Sequence, residues 1–328
     1  CMNFISPSDL NQLINSSDEI ALIDVREQGE FGKQHILLCA NIPLSQLEMK
    51  VPVLVPRKSC HIVICDFEGE LSSRAFDVLS SYGYTNISRL RGGVKAWKEG
   101  KFEVFSGVNV PSKAFGEFVE HTYETPSISA EELKNMMDNK QDFVVLDSRP
   151  MDEYKIMNIP GGIDMPGAEL VYRIEGAPIT KDTTVVVNCA GRTRSIIGAQ
   201  TLINAGVENK VVALRNGTQG WHLAGYKLEH GSDRSVPEVT NRGHSVALQR
   251  ANSAAKKFGV KFINCETLDR WREQRGERTL AILDVRTQEE FETAHIADSR
   301  HAPGGQLVQA TDMYVATQNT RVVLVDDK

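Results

Sequence analysis

The sequence predicts an α/β protein made of tandem units, each a parallel sheet with helices on both faces. Two observations carry this expectation: one segment recurs three times along the chain, and within each unit short apolar runs alternate with helical patterns. The length of 328 residues agrees, being more than one ordinary core holds and enough for two or three domains.

The recurring segment runs from Ala21 to Phe31, returns from Val144 to Tyr154, and returns again from Ala281 to Phe291. Asp24, Arg26, Glu30 and Phe31 keep their spacing as Asp147, Arg149, Glu153 and Tyr154, then as Asp284, Arg286, Glu290 and Phe291. A second block, Leu90 to Trp97, matches Leu214 to Trp221, so the first two units are complete. The apolar runs Ala21 to Val25, Ile62 to Cys65, Val144 to Leu146 and Thr184 to Asn188 read as strands. Ser72 to Tyr82 and Ser195 to Ala205 read as helices, each followed by a terminating glycine, Gly83 and Gly206. Trp97 and Trp221 read as core anchors of a last helix. His35 and His295, at matching places, read as packing or hydrogen-bonding residues.

These readings divide the chain into a first domain over 1–108, a linker over 109–127, a second domain over 128–232, a helical linker over 233–260, and the N-terminal half of a third domain over 261–328. That half cannot close its own sheet, so it is expected to be cut short or to pack on a neighbour.

A formal net charge of −6 and 24% charged residues describe a soluble protein without the basic bias of a nucleic-acid binder. No apolar run approaches a membrane span and no leader is evident, which sets a cytoplasmic expectation. The six cysteines form no Cys-x-x-Cys pair, and the eight histidines no ligand cluster, so neither a disulfide framework nor a metal or organic cofactor is expected. Cys1, ahead of Met2, is assigned no function.

The informative cysteine is Cys189. It opens the stretch Cys189-Ala190-Gly191-Arg192-Thr193-Arg194, directly after an apolar strand and directly before a helix. A thiol with a pKa of about 8.5 is mostly protonated at neutral pH and needs help to attack. Main-chain amides of a tight loop feeding a helix N-terminus supply that help as an anion cradle. Gly191 lets the loop bend, while Arg192 or Arg194 suits the oxygens of an anion. Thr193 and Ser195 offer hydroxyls, Ser195 also as a helix N-cap. Arg194 is a cation in a first helical turn, which opposes the dipole and favours a functional role.

The repeat shows what the other units lack. Asp66 stands where the second unit has Cys189, with Gly69 and Leu71 in place of Arg192 and Arg194, and Asp326 takes the position in the third. Cys65 matches Asn188 rather than Cys189. Asp147 and Arg149 recur in units without the cysteine, which favours structural support over catalysis. Arg173 reads as a surface arginine near the pocket mouth.

The Asp-x-Arg-x-x-x-Glu-Phe/Tyr element, the segment Asn158 to Gly162, the loop from Cys189 and the Leu-x-x-Gly-x-x-x-Trp element together resemble the rhodanese, or sulfurtransferase, family. The resemblance covers the chain apart from the linkers. It implies tandem rhodanese-like domains, one active through Cys189 and at least one inactive. It also implies transfer of a sulfane sulfur from a small anionic donor such as thiosulfate to cyanide, a thiol or a protein acceptor through a Cys189 persulfide. Cys189 and Arg194 are then the catalytic candidates. Ala190, Gly191, Arg192, Thr193 and Ser195 become the substrate-binding candidates, with Asp147 and Arg149 in support. A cysteine phosphatase is disfavoured, because only four residues separate Cys189 from Arg194 and no acid follows within the loop. The other alternative is a sulfur-carrier or regulatory binding module whose inactive domains dock partners.

Overall fold

The structure, a computed structural model, describes residues 3–327. It divides into two compact units, one formed by the chain up to Pro111 together with Ile263–Asp326, the other by Ser112–Phe262.

The first unit holds a five-stranded sheet of β1 (Asn3–Ile5), β2 (Ile20–Asp24), β3 (Ala40–Asn41), β4 (His61–Cys65) and β5 (Ile87–Leu90), in the order β1-β5-β4-β2-β3. Every pairing is parallel. All five residues of β2 are buried, as a strand covered on both faces requires. Its alternate side chains enter two cores: Ala21 and Ile23 join one, Ile20 and Leu22 the other. The same unit contains a three-stranded parallel sheet, β12-β11-β13, made of β11 (Leu280–Asp284), β12 (Arg300–His301) and β13 (Arg321–Val325). This sheet packs on the first within the same unit. The Glu19 carboxylate accepts the Thr279 amide at 3.0 Å and Arg57 Nη2 at 2.6 Å, and the Gln318 amide donates to Ile20 O at 2.8 Å.

The second unit repeats the five-stranded pattern with β6 (Ser127–Ile128), β7 (Phe143–Asp147), β8 (Ile163–Asp164), β9 (Thr184–Asn188) and β10 (Val211–Leu214), ordered β6-β10-β9-β7-β8. Val144 and Leu146 face one core; Val145 faces the other with Trp221. A helix, Thr193–Asn204, follows β9 and ends ahead of Gly206, whose φ of 78° is the left-handed turn expected there.

Three expectations change in detail. Helix Thr193–Asn204 starts two residues earlier than predicted, so Ser195 is not its N-cap. Arg192 takes that position, with no side-chain cap, and the Ser195 hydroxyl donates back to Arg192 O at 2.7 Å. The stretch 109–127, read as a linker with a helical stretch, does hold the helix Val110–Tyr123, but Val119 in it belongs to the second unit's core. Within 233–260, Val236 joins that core as well, and helix Asn241–Phe258 sets Arg250 against Glu175 at 2.6 Å. Both segments pack on the second domain rather than only connecting it. Among the described residues no helix is long and apolar enough to cross a membrane.

Candidate active site

Cys189 follows directly on β9, is 2% exposed, and opens the short turn that leads into helix Thr193–Asn204. The first amides of any helix lack an acceptor four residues back, so the turn offers donors to whatever anion sits there.

The loop is held from outside by the next strand-to-helix turn. At the start of helix Gly217–Leu223, the Thr218 amide donates to Cys189 O at 2.8 Å and the Gln219 amide to Ala190 O at 2.9 Å. Thr218 Oγ1 adds a second bond to Cys189 O at 3.2 Å and accepts Asn188 Nδ2 at 3.0 Å. Asn188 Nδ2 also donates to Asp147 Oδ2 at 2.8 Å. A chain of polar contacts thus runs from the buried carboxylate of Asp147 to the main chain of Cys189. The first domain has Cys65 and Val94 at the places of Asn188 and Thr218, so this chain is special to the domain with Cys189. Asn188 and Thr218 were not singled out from the sequence. The signal that finds them is this polar-for-apolar exchange between repeats.

Asp147 and Arg149 form a buried ion pair. Arg149 Nε meets Asp147 Oδ1 and Nη2 meets Oδ2, each at 2.8 Å, with both side chains essentially inaccessible. Arg149 Nη2 also caps Met157 O at 2.7 Å. Burial works against the Arg149 charge, but the bonds and charge of Asp147 outweigh it and hold the guanidinium above its ordinary value; Glu153 and Cys189 add to the field there.

The loop arginines are engaged by carboxylates that the sequence did not point to. Arg194 makes a two-pronged pair with Glu153, Nη1 to Oε1 at 2.9 Å and Nη2 to Oε2 at 2.8 Å. This partner accounts for a cation in the first turn, and the Arg194 hydrogen bond and charge hold Glu153 below the usual carboxylate range. Arg192 pairs with Glu117 and Glu120 of helix Val110–Tyr123. Thr193 packs on Gly116 of that helix, where a Cβ would fall 2.9 Å from Thr193 Cγ2. Ser195 is fully buried with its hydroxyl turned to main-chain oxygens. Arg173 pairs with Glu169 at 2.7 Å. Ala190 and Gly191 complete the turn, and Gly191 does not have a positive φ.

In the first domain the matching turn is filled by its own side chain. Asp66 Oδ1 accepts the Gly69 amide at 2.5 Å and Oδ2 accepts the Ser72 amide at 2.8 Å. The carboxylate takes up the amides that an external anion would need.

Comparison with known proteins identifies the family. The rhodanese-like domain family matches residues 6–100, 129–224 and 267–328. A crystal structure of thiosulfate sulfurtransferase from Pseudomonas aeruginosa is similar over 99% of this chain, with 45% identity and a TM-score of 0.97. The matched region is 62% of that protein's chain. Uncharacterized protein YqhL of Bacillus subtilis is 42% identical over 76 residues, which are 23% of this chain and 59% of YqhL. Thiosulfate sulfurtransferase PspE of Escherichia coli is 32% identical over 73 residues, 22% of this chain and 69% of PspE. With three matched regions that span most of its length, the first two built on the same five-stranded parallel order, the chain belongs to the rhodanese-like domain family.

Proposed function

We propose that this protein is a sulfurtransferase in which the domain over 128–232 is active and those over 1–108 and 261–328 take no covalent part. The observation that carries the reading is the placement of Cys189: a buried thiol at the mouth of a helix, its main chain fixed by Thr218, its turn flanked by Arg192 and Arg194. The 45% identity to a thiosulfate sulfurtransferase along almost the whole chain supports it.

The reaction runs in two half-steps. Cys189, as thiolate, attacks the outer sulfur of thiosulfate; the S–S bond breaks and sulfite leaves with its electron pair. The resulting persulfide anion rests against the loop amides. Cyanide or a thiolate acceptor then attacks the outer sulfur, and Cys189 leaves as thiolate. Arg194 spends two of its five N–H donors on Glu153 and retains donors for the sulfonate oxygens. Asp147 and Arg149 hold the strand ends that carry the loop. In the first domain Asp66 can neither form a persulfide nor leave the amides free, which supports its reading as inactive; Asp326 stands at the position in the third. A donor-independent role of these two domains in docking a protein acceptor is compatible with the same scheme.

Intact mass tests the proposal. Brief exposure to thiosulfate is expected to add one sulfur, about 32 mass units, that cyanide removes and that the Cys189→Ser protein never shows. Sulfur uptake by Cys189→Ser, or none by the wild type with either thiosulfate or 3-mercaptopyruvate, overturns it.

A further inference from the structure

Asp164 ends β8 and pairs in register with Asp147. At the same register position stand Asn41, opposite Asp24 in the first domain, and His301, opposite Asp284 in the third. Both carry a nitrogen that reaches the main-chain carbonyl of the paired arginine: Asn41 Nδ2 donates to Arg26 O at 2.8 Å, and His301 Nε2 lies 3.0 Å from Arg286 O. The domain with Cys189 has a carboxyl group there instead. An ionised carboxylate can only accept hydrogen bonds, so it cannot serve a carbonyl. Asp164 is 5% exposed, and its Oδ1 has no hydrogen-bond partner among the described residues. A protonated carboxyl has the O–H that the position calls for.

We propose that Asp164 is a neutral acid in the resting active domain, donates to the main-chain carbonyl of Arg149, and acts as a positioning residue whose ionisation weakens the support behind Cys189. The inference rests on the reading of Cys189 as the nucleophile.

The charges that face Asp164 are Asp147 and Arg149 from β7 and the turn after it, Lys155 from helix Met151–Ile156, and Arg173 from helix Leu170–Arg173. Arg234 lends its carbonyl to the Asp164 amide at 2.9 Å, while its guanidinium is turned to Glu229 and Gly162 O. Burial first, and the Asp147 carboxylate second, outweigh the three cations and push the Asp164 carboxyl up to about 7. Both protonation states are therefore in reach near neutral pH. Ionisation sets a second negative charge beside Asp147, in competition for the Arg149 guanidinium whose field Cys189 shares. Thiolate and persulfide are both anions, so the added charge opposes both.

The test is the rate at which iodoacetamide alkylates Cys189, resolved by peptide mass, from about pH 5 to about pH 9 in wild type, Asp164→Asn and Asp164→Leu. The wild type is expected to show an inflection near pH 7. Asp164→Asn keeps a donor, as Asn41 does, and is expected to lose that inflection and react about threefold to tenfold faster than wild type above it. Asp164→Leu, with neither donor nor charge, is expected to show no inflection near pH 7 and to be slower than Asp164→Asn at every pH. Infrared spectra supply a second readout, a protonated-carboxyl band below pH 7 that is missing from Asp164→Asn. Identical profiles for wild type and Asp164→Asn, or no such band, overturn the proposal. Alkylation reads the thiol alone. A protein that takes up no sulfur but keeps the Asp164-dependent profile would overturn the sulfur-transfer reading and leave this one standing.

Discussion

A Cβ placed on Gly217 would stand 2.2 Å from the carbonyl oxygen of Cys189, so the two main chains meet where any other residue would separate them. Gly217 also adopts a φ of 52°. Gly93 holds the same relation to Asp66, at 2.5 Å, in the first domain. Gly217→Ala is expected to lose about 2–4 kcal/mol of stability and most sulfur uptake, because the loop must shift. Gly206→Ala has a φ of 78° but open space around it, and is expected to cost about 1 kcal/mol and no activity. Urea denaturation and the mass assay on both variants check this; equal losses would show that contact with the loop is immaterial.

The Asp66 carboxylate supports the first domain as a built-in anion. Removing it in Asp66→Ala strands the amides of Gly69 and Ser72 and is expected to destabilise that domain by about 1–2 kcal/mol. Sulfur loading at Cys189 is expected to stay unchanged. A loss of loading in a protein that remains folded would give the first domain a part in the covalent step.

Much of this was legible from the chain. Offsets between repeats located β2, β4, β7 and β9, the glycine turns and the Asp–Arg pairs, because each of these is fixed by local spacing. What escaped depends on contacts far apart in sequence. Arg192 meets Glu117 and Glu120 across some seventy positions, with nothing in either segment to announce it. The Ser195 hydroxyl suggested a cap; the helix begins earlier, and the hydroxyl serves the backbone instead. Thr218 looks ordinary until set beside Val94, and Asn188, although aligned with Cys65, gives no sign in the sequence of its bonds to Asp147 and Thr218.

The three Asp–Arg pairs offer a graded comparison. Arg149 is 2% exposed at its side chain and Arg286 is 12%, each against a buried aspartate. Arg149→Met leaves Asp147 as a buried, uncompensated charge and is expected to cost about 3–5 kcal/mol, with loss of Cys189 reactivity. Arg286→Met is expected to cost less, since water can reach the place of the lost guanidinium, and to leave reactivity intact. Thermal unfolding followed together with sulfur loading separates the two; a larger loss at Arg286 would reverse the ranking by burial.

Glu153 and Arg194 form an ion pair whose contribution depends on pH. Arg194 holds the Glu153 carboxyl below its ordinary value, so the pair's stability is present above the unfolded value near 4.5 and is lost as pH falls through the folded one. Because Glu153 is 37% exposed at its side chain, solvent screens the pair and the gain is at most about 1 kcal/mol. If Arg194 holds an anionic donor, as the proposed function has it, the same carboxylate competes for it. Glu153→Gln is therefore expected to flatten the acid limb of the stability curve slightly and to lower the thiosulfate concentration needed for half-maximal sulfur loading, by about threefold to tenfold. Arg194→Lys keeps the charge but not the planar fork, and is expected to raise that concentration. If Glu153→Gln instead weakens loading, the carboxylate's service is to aim Arg194 at the donor, and the competition argued here does not operate.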